Sequence, residues 1–529
     1  VADPRAESVE WTPRYNPWLI AATVVSATFM EVLDTSVANV SLPHIAGNLS
    51  VTPEESTWVL TSYLVSNAII LPMAGWLGRF FGRKRLFLAC IVLFTLTSVL
   101  CGMANSLSFL IVARVLQGIG GGAMVPISQA ILLESFPPHK RGAAMAAFGM
   151  GVIVAPILGP TLGGWITDNY SWRWIFYINV PVGILAALMA EKVVEDPPYI
   201  QSARVERVDF LGFAFLALWL GTLQVILDKG EQADWLSAAW IRWFLVISIA
   251  AFLAFVIREL RTRHPIVDLR VLKNRNFSVG LTLITMVGAV LYGTTAALPI
   301  FLQTLMGYSA LQSGLALTPR GIAAFFTTIF VGRIVDKVRK RWLLLIGFSL
   351  LSASSFWLGH INLELAQANV IWPIVLSGVA ISFVFVPLTT VSMGRLPREQ
   401  MGNATGVYNL MRNLGGSIGI AMVTTLLSRQ AQVRQVSLVT HTTPYDPAFN
   451  EQVAALTHAL TPSVGSHAAH EQALALVYGL VQSQARLWAF IYDFRLFGYL
   501  CLFILPMILL LKRVRSTGDP PVDAHRAQR

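Results

Sequence analysis

Apolar runs of about 20 residues recur along almost the whole 529-residue chain, separated by short basic connections. A run of that length crosses a bilayer as a helix. Hydrophobic residues make up 55% of the chain and charged residues 13%, with mean hydropathy +0.62. A soluble domain carries about 25% charged residues. The chain therefore reads as a polytopic, all-α membrane protein. The net charge of +11 does not point to nucleic acid, because the basic residues cluster in the connections between runs, where membrane topology places them.

Fourteen spans are expected, at about 18–41, 57–77, 86–105, 107–133, 142–166, 173–191, 209–227, 240–258, 277–304, 311–332, 342–360, 370–393, 402–428 and 487–511. Lys and Arg fall in alternate connections: Arg79, Arg83, Lys84 and Arg85; Lys140 and Arg141; Arg258 to Arg275; Arg333 to Arg341; and the tail after Lys512. The positive-inside rule then puts both termini in the cytoplasm. The polar stretch Val1–Pro17 lacks the pattern of a signal peptide, so the first run is expected to stay as a span. Cys90, Cys101 and Cys501 all lie in apolar runs and read as packing residues rather than a disulfide framework.

Two carboxylates interrupt the first run, Glu31 and Asp34. An acid near the middle of a membrane helix costs roughly 2.5–3.5 kcal/mol on insertion scales and marks a functional site by default. Three residues apart, the two acids are expected to share one helical face. A carboxyl there can load a proton when buried and release it when water reaches it from one side. Arg114 sits near the start of the fourth run, and a buried guanidinium stays charged and needs a carboxylate. Asp34 is the candidate partner, with Gln117 on the same helix face as Arg114.

The chain repeats itself. Residues 75–85 read GWLGRFFGRKR and residues 332–341 read GRIVDKVRKR; residues 137–142 and 397–402 also align. Two parallel six-helix halves with two extra helices between them account for the offset, an architecture of transporters with a binding site at the interface. The expected divisions are 1–17 as N-terminus, 18–191 as first half, 192–275 as extra helices with their basic connection, 276–515 as second half including an outward segment 430–486, and 516–529 as tail. The run 117–124, QGIGGGAM, lies within a span and no Gly-Lys-Ser/Thr follows it, which argues against an ATP-driven pump. His441, His458, His467 and His470 fit no zinc spacing.

Here the chain resembles the major facilitator superfamily, in its fourteen-span, EmrB/QacA-like drug:proton antiporter branch. The segments 75–85, RVLQG at 114–118 and GPTLGG at 159–164 look like superfamily signatures. LDTSVANVSLP at 33–43, WRWIFYINVPVG at 172–183, LQVILDKG at 223–230 and HPIVDLRVLKNRNF at 264–277 look like signatures of the branch. The resemblance covers roughly residues 18–515 and implies a major facilitator fold and a non-enzymatic exporter. It implies that Asp34, Glu31 and Arg114 couple a proton, that no cofactor is used beyond the proton gradient, and that hydrophobic or cationic small molecules are the cargo. It also implies a bacterial inner-membrane location, a periplasmic EmrA-like adaptor meeting the outward segment, and an outer-membrane TolC-like channel.

Small residues at four-residue spacing, Ala155, Gly159 and Gly163, with Pro160 and Gly164, allow close helix approach; the resemblance implies that they join the two halves. Gly75, Arg79, Gly82 and Arg83 form the first gating loop, but Arg79 stands where the superfamily carries Asp, so the gate is expected to rest more on Asp336 in the second copy. Trp58, Tyr63, Gln117, Tyr292, Phe301, Gln303 and Arg412 are candidate cavity residues, and Asp228 is expected at the outer surface. Rival readings are an exporter of a physiological compound such as a fatty acid or siderophore, a non-transporting membrane sensor, and a membrane enzyme. No clustered nucleophile and base supports the last.

Overall fold

The computed structural model describes residues 13–511, apart from 138–139, 198–208, 263–264, 336, 363–366, 395, 398–399, 441 and 444. Asp336, His441 and the basic tail after 511 lie outside the described residues. Thirteen helices are long and apolar enough to span a membrane, or fourteen with the proline-bent helix 141–169 counted as one span.

The helices of the first half are α1 (Pro17–Leu49), α2 (Trp58–Phe81), α3 (Arg83–Gly102), α4 (Leu107–Ser135), α5 (Arg141–Asn169) and α6 (Trp174–Val193). Two further helices follow, α7 (Phe210–Lys229) and α8 (Ala239–Arg261). The second half holds α9 (Arg275–Thr304), α10 (Ala310–Ile334), α11 (Lys340–Leu358), α12 (Val370–Met393), α13 (Met401–Val439), α14 (Pro447–Val464) and α15 (Ser466–Ile508).

Local chemistry sets several boundaries. Asn16 caps α1 by accepting from the Trp18 amide at 2.9 Å, with Pro17 pre-set for the first turn. Ser309 and Gln312 form a reciprocal capping box at the start of α10. Asp446 caps α14 ahead of Pro447.

Helices α13 and α15 hold 39 and 43 residues, roughly 60 Å each at 1.5 Å per residue. The hydrocarbon core is about 30 Å thick, so both run well beyond it. Their projecting parts carry α14 between them, held by Phe449, Val453, Leu456, Ala473 and Val477. The segment expected as outward polar helices is this structure, built largely from extensions of two spans.

The glycines aligned by the internal repeat occupy matching places at the interface between halves. A Cβ on Gly75 in α2 would strike the backbone of Gly402 and Asn403 at the start of α13. A Cβ on Gly332 in α10 would meet Ala146 near the start of α5, at 2.6 Å. Both contacts lie at the basic end of the bundle. Helices α5 and α10 also meet near their other ends, where Gly314 abuts Thr161.

Candidate functional site

Asp34 and Arg114 form an ion pair inside the first half, with Arg114 Nη1 donating to Asp34 Oδ2 at 2.5 Å. Arg114 is fully buried and Asp34 nearly so. The other carboxylate oxygen accepts from Asn179 Nδ2 of α6 at 2.7 Å and from Gln117 Nε2 at 3.3 Å. Arg114 also donates to Gln117 Oε1 at 2.8 Å and, through Nε, to the Val59 carbonyl at 3.1 Å. Ser98 accepts from both Gln117 and Asn179. A buried charge pair is tolerable only when its remaining donors and acceptors are met, and four helices supply that shell here.

Glu31 stands apart from this pair. A separation of three residues turns a helix by about 300°, leaving the two side chains about 60° apart. They share a broad face of α1, as expected, but not one site. Asp34 points into the first half, whereas Glu31 lines a cavity between the halves. Glu31 Oε1 accepts from Tyr63 Oη at 2.9 Å and Asn67 Nδ2 at 3.0 Å. The Tyr63 ring lies under the Arg114 guanidinium, 4.3 Å from its carbon to the ring centroid, a cation–π contact. Tyr63 therefore touches the surroundings of both acids, by its hydroxyl on one side and its ring face on the other.

The cavity encloses about 310 Å³. Glu31, Tyr63 and Asn67 line it from the first half, Tyr292, Arg412 and Ser417 from the second, and Gln224 and Asp228 from α7. Tyr63, Tyr292 and Arg412 are thus brought to it as anticipated. Trp58, Gln303, Gln117 and Phe301 are not. Trp58 is 39% exposed and faces Lys229; Gln303 is exposed; Gln117 is spent on the ion pair; Phe301 is packed edge-on against Phe490. Asp228 lies against the cavity rather than at the outer surface, and the Thr61 hydroxyl donates to it.

The small-residue pattern of α5 also needs correction. Gly159 abuts Ser36 and Gly163 abuts Val37, both on α1 of the same half, and Ala155 and Gly164 are buried. It is Ala146 and Thr161 that meet the other half, on α10. Pro160 has no N–H for the Pro156 carbonyl, and the Ser36 hydroxyl donates there instead, at 2.9 Å. The serine replaces the backbone bond that the proline removes.

At the basic end, Arg83 of α3 pairs with Glu134 of α4. Gly82 takes φ +85, the left-handed region, and a side chain there would meet the Asp196 carboxylate. Arg79 lies in the field of Asp268, from the connection after α8. That connection is clamped to the second half: the Asp268 amide donates to Asn403 Oδ1 at 3.1 Å, and Asn403 Nδ2 donates to the Asp268 carbonyl at 2.9 Å. Asn409 of α13 donates to Gln129 of α4 at 2.7 Å, bridging the halves between two fully buried side chains.

Sequence reasoning passed over Asn179, Ser98, Asn67, Gln224 and Glu134, neutral or interfacial residues with no charge anomaly to betray them. One signal was present. Trp174, Phe176 and Asn179 recur at the same spacing as Trp488, Phe490 and Asp493. Asp493 of α15 is buried, and among the described residues neither of its oxygens has a hydrogen-bond partner.

Bundled membrane helices in two related halves around a central cavity define a multi-pass membrane transporter, not an enzyme. The sequence profile of the Major Facilitator Superfamily matches residues 24–420, and the chain belongs to that family. It is 38% identical over 431 residues to the multidrug export protein EmrB of Haemophilus influenzae, covering 81% of this chain and 84% of that one. The fatty acid resistance protein FarB of Neisseria gonorrhoeae is 38% identical over 433 residues, with 82% and 85% covered. The colistin resistance protein EmrB of Acinetobacter baumannii is 30% identical over 481 residues, with 90% and 93% covered. Among solved structures, a double-tryptophan variant of XylE superposes with TM-score 0.64 at 13% identity, over 96% of this chain and 98% of that one. The human organic anion transporter MFSD10 gives TM-score 0.57 at 14% identity, over 92% and 100%. These two likenesses concern the fold alone.

Proposed function

We propose that the chain exports hydrophobic and cationic compounds from the bacterial cytoplasm in exchange for protons, across the inner membrane, with the basic end and both termini on the cytoplasmic side. The observation that carries this reading is the division of labour in α1: one acid locked to Arg114, the other facing the cavity. A cation and a proton compete for the Glu31 carboxylate, so one must leave before the other binds, which is the logic of antiport. Asp34 carries the coupling proton and Arg114 tunes its release. Tyr63, in contact with Glu31 and Arg114, transmits the state of one to the other. One proton moving inward supplies about 2.3 kcal/mol per 100 mV, and no other cofactor is required. The projecting helices α13, α14 and α15 suit a periplasmic EmrA-like adaptor leading to a TolC-like channel.

A second reading, export of an amphipathic carboxylate such as a fatty acid, is favoured by Arg412. It lines the cavity with Nε and Nη1 unpartnered among the described residues.

The test is drug accumulation in cells expressing the chain, with and without a proton uncoupler, beside Asp34→Asn. Loss of export with the uncoupler and with Asp34→Asn is expected. Full export by Asp34→Asn refutes the coupling role, and export indifferent to the uncoupler refutes the proton drive.

A further inference from the structure

The interface between the halves is not closed in the same way on its two sides. Helices α5 and α10 meet near both ends, Gly332 on Ala146 and Gly314 on Thr161. On the other side, α2 and α13 meet at the basic end, where Gly75 abuts Asn403, and Gly406 abuts the carbonyls of Leu71 and Pro72. Toward the far end the polar groups of both helices turn to α7 instead. On α13, Ser417 accepts from Gln224 Nε2 at 2.9 Å, and Thr425 accepts from Trp235 Nε1, just past α7, at 3.0 Å. On α2, Thr61 binds Asp228 and Val65 and Ile69 pack on Gly221, and Thr57, just before the helix, accepts from Lys229. Helix α7 is thus wedged between the two halves as a side wall.

Gln224 and Asp228 are one turn apart on α7 and both line the cavity. Gln224 spends its amide on the second half. Asp228 brings a carboxylate to the cavity from outside either half, and the neighbouring Lys229, whose charge it feels, reaches Thr57 and the Trp58 ring rather than the cavity lining. Asp228 is half-buried in the last turn of α7 and faces the cavity, and a wall that merely excluded lipid would need no carboxylate there. Two tyrosine side chains, Tyr63 and Tyr292, share the cavity with it, and aromatic faces attract large cations.

We propose that α7 is the lateral wall of the binding cavity and that Asp228 is a specificity-determining carboxylate that recognises amphipathic organic cations, distinct from the proton-carrying acids of α1. This rests on the export reading above for its physiological meaning, but its test does not require transport.

The experiment uses the full-length protein in lipid nanodiscs, with no proton gradient. Binding of tetraphenylphosphonium is compared with that of triphenylphosphine, a neutral probe of similar bulk. Asp228→Asn is expected to weaken tetraphenylphosphonium about tenfold, leaving triphenylphosphine within twofold, while Asp228→Glu retains most of the preference. Equal loss of both probes, or loss of neither, overturns the assignment. The unmodified protein gives an independent measurement in case Asp228→Asn fails to fold. Carbodiimide labelling of Asp228, read by mass spectrometry, is expected to be slowed by saturating tetraphenylphosphonium and not by triphenylphosphine; an unchanged rate overturns the proposal. Absence of proton-driven export by the parent protein would instead sink the export reading and leave these binding results standing.

Discussion

The pairing of Asp34 with Arg114 makes a quantitative claim about stability that is separable from transport. Asp34→Asn preserves shape but leaves a guanidinium at 0% exposure without its counter-ion. Its remaining partners are Gln117 Oε1, the Val59 carbonyl and the Tyr63 ring. The amide also has one acceptor oxygen where the carboxylate served three donors, from Arg114, Asn179 and Gln117. Breaking a buried pair in this way costs about 3–5 kcal/mol. Arg114→Met leaves a carboxylate that keeps its bonds from Asn179 and Gln117, each worth about 1.5–3 kcal/mol to a charged group, so its cost falls toward the lower end of that range. The double variant buries no charge at this site and is expected within about 1 kcal/mol of the parent. The assay is equilibrium unfolding of all four proteins in one detergent, closed as a double-mutant cycle. With single costs of about 3 kcal/mol or more each and a double variant within about 1 kcal/mol of the parent, a coupling of about 5 kcal/mol is expected. Additivity within about 0.5 kcal/mol refutes the pairing as the source of stability. Export measured in parallel separates the two roles: the double variant is expected to be stable and inactive. If it exports as the parent does, the pair is structural.

Three other predictions follow from single contacts. Ser36→Ala strands the Pro156 carbonyl and is expected to cost about 1–3 kcal/mol in the same unfolding assay, whereas Ser26→Ala, whose hydroxyl serves a carbonyl of its own helix, is expected to cost less. Asp209 precedes α7; burial works against its charge, but Arg258 and the Gly212 amide hold it below the ordinary carboxylate value. Its stabilising contribution is therefore complete above about pH 4 and lost as pH falls through the depressed value. Asp209→Asn is expected to flatten the acid limb of stability measured from pH 6 to pH 3, and Asp209→Ala to cost about 1 kcal/mol more through the lost helix cap. Asp493→Asn removes a carboxyl whose oxygens lack partners and is expected to raise stability near neutral pH; a fall of more than about 1 kcal/mol would mean that the carboxylate has a partner after all.

What the sequence made legible was whatever depends on the bilayer. A run such as 86–105 must be a helix because the hydrocarbon core offers no partner for its backbone, and Gly75 and Gly332 betray the repeat because both sit where two backbones meet. The charged anchors Asp34 and Arg114 were legible for the same reason: their cost in lipid demands an account. Less legible was anything decided by the direction of a side chain. Glu31 and Asp34 differ by about 60° of helix rotation, and that angle sends one to the cavity and the other to Arg114. Gly159 faces α1 while Thr161, two residues on, faces α10. Asn179 carries no charge and resembles any interfacial amide until α6 is placed against α1. The length of α15 was hidden because its projecting part is too polar to register as a span, although it continues the same helix.

Helix α2 connects the features that transport would have to move together. Its Val59 carbonyl holds Arg114, Tyr63 and Asn67 hold Glu31, Thr61 and the preceding Thr57 hold α7, and Gly75 seals the basic end against α13. Among the described residues this one span meets the ion pair, the cavity acid, the side wall and the far half. The turns from Trp58 to Ile70 form one continuous α-helix, so they cannot tilt at one of these points and stay still at the others, and a 3-10 turn at Leu71–Met73 joins them to the segment that carries Gly75. Under the proposed coupling, protonation that loosens the hold on Glu31 acts on the same span that carries the Gly75–Asn403 contact. Close packing makes such contacts switch between discrete arrangements rather than deform gradually. The coupling then needs no long chain of side-chain relays between proton and gate. It needs one span whose successive turns are each committed to a different partner, with a 3-10 turn at Leu71–Met73 between the cavity-side turns and the Gly75 contact.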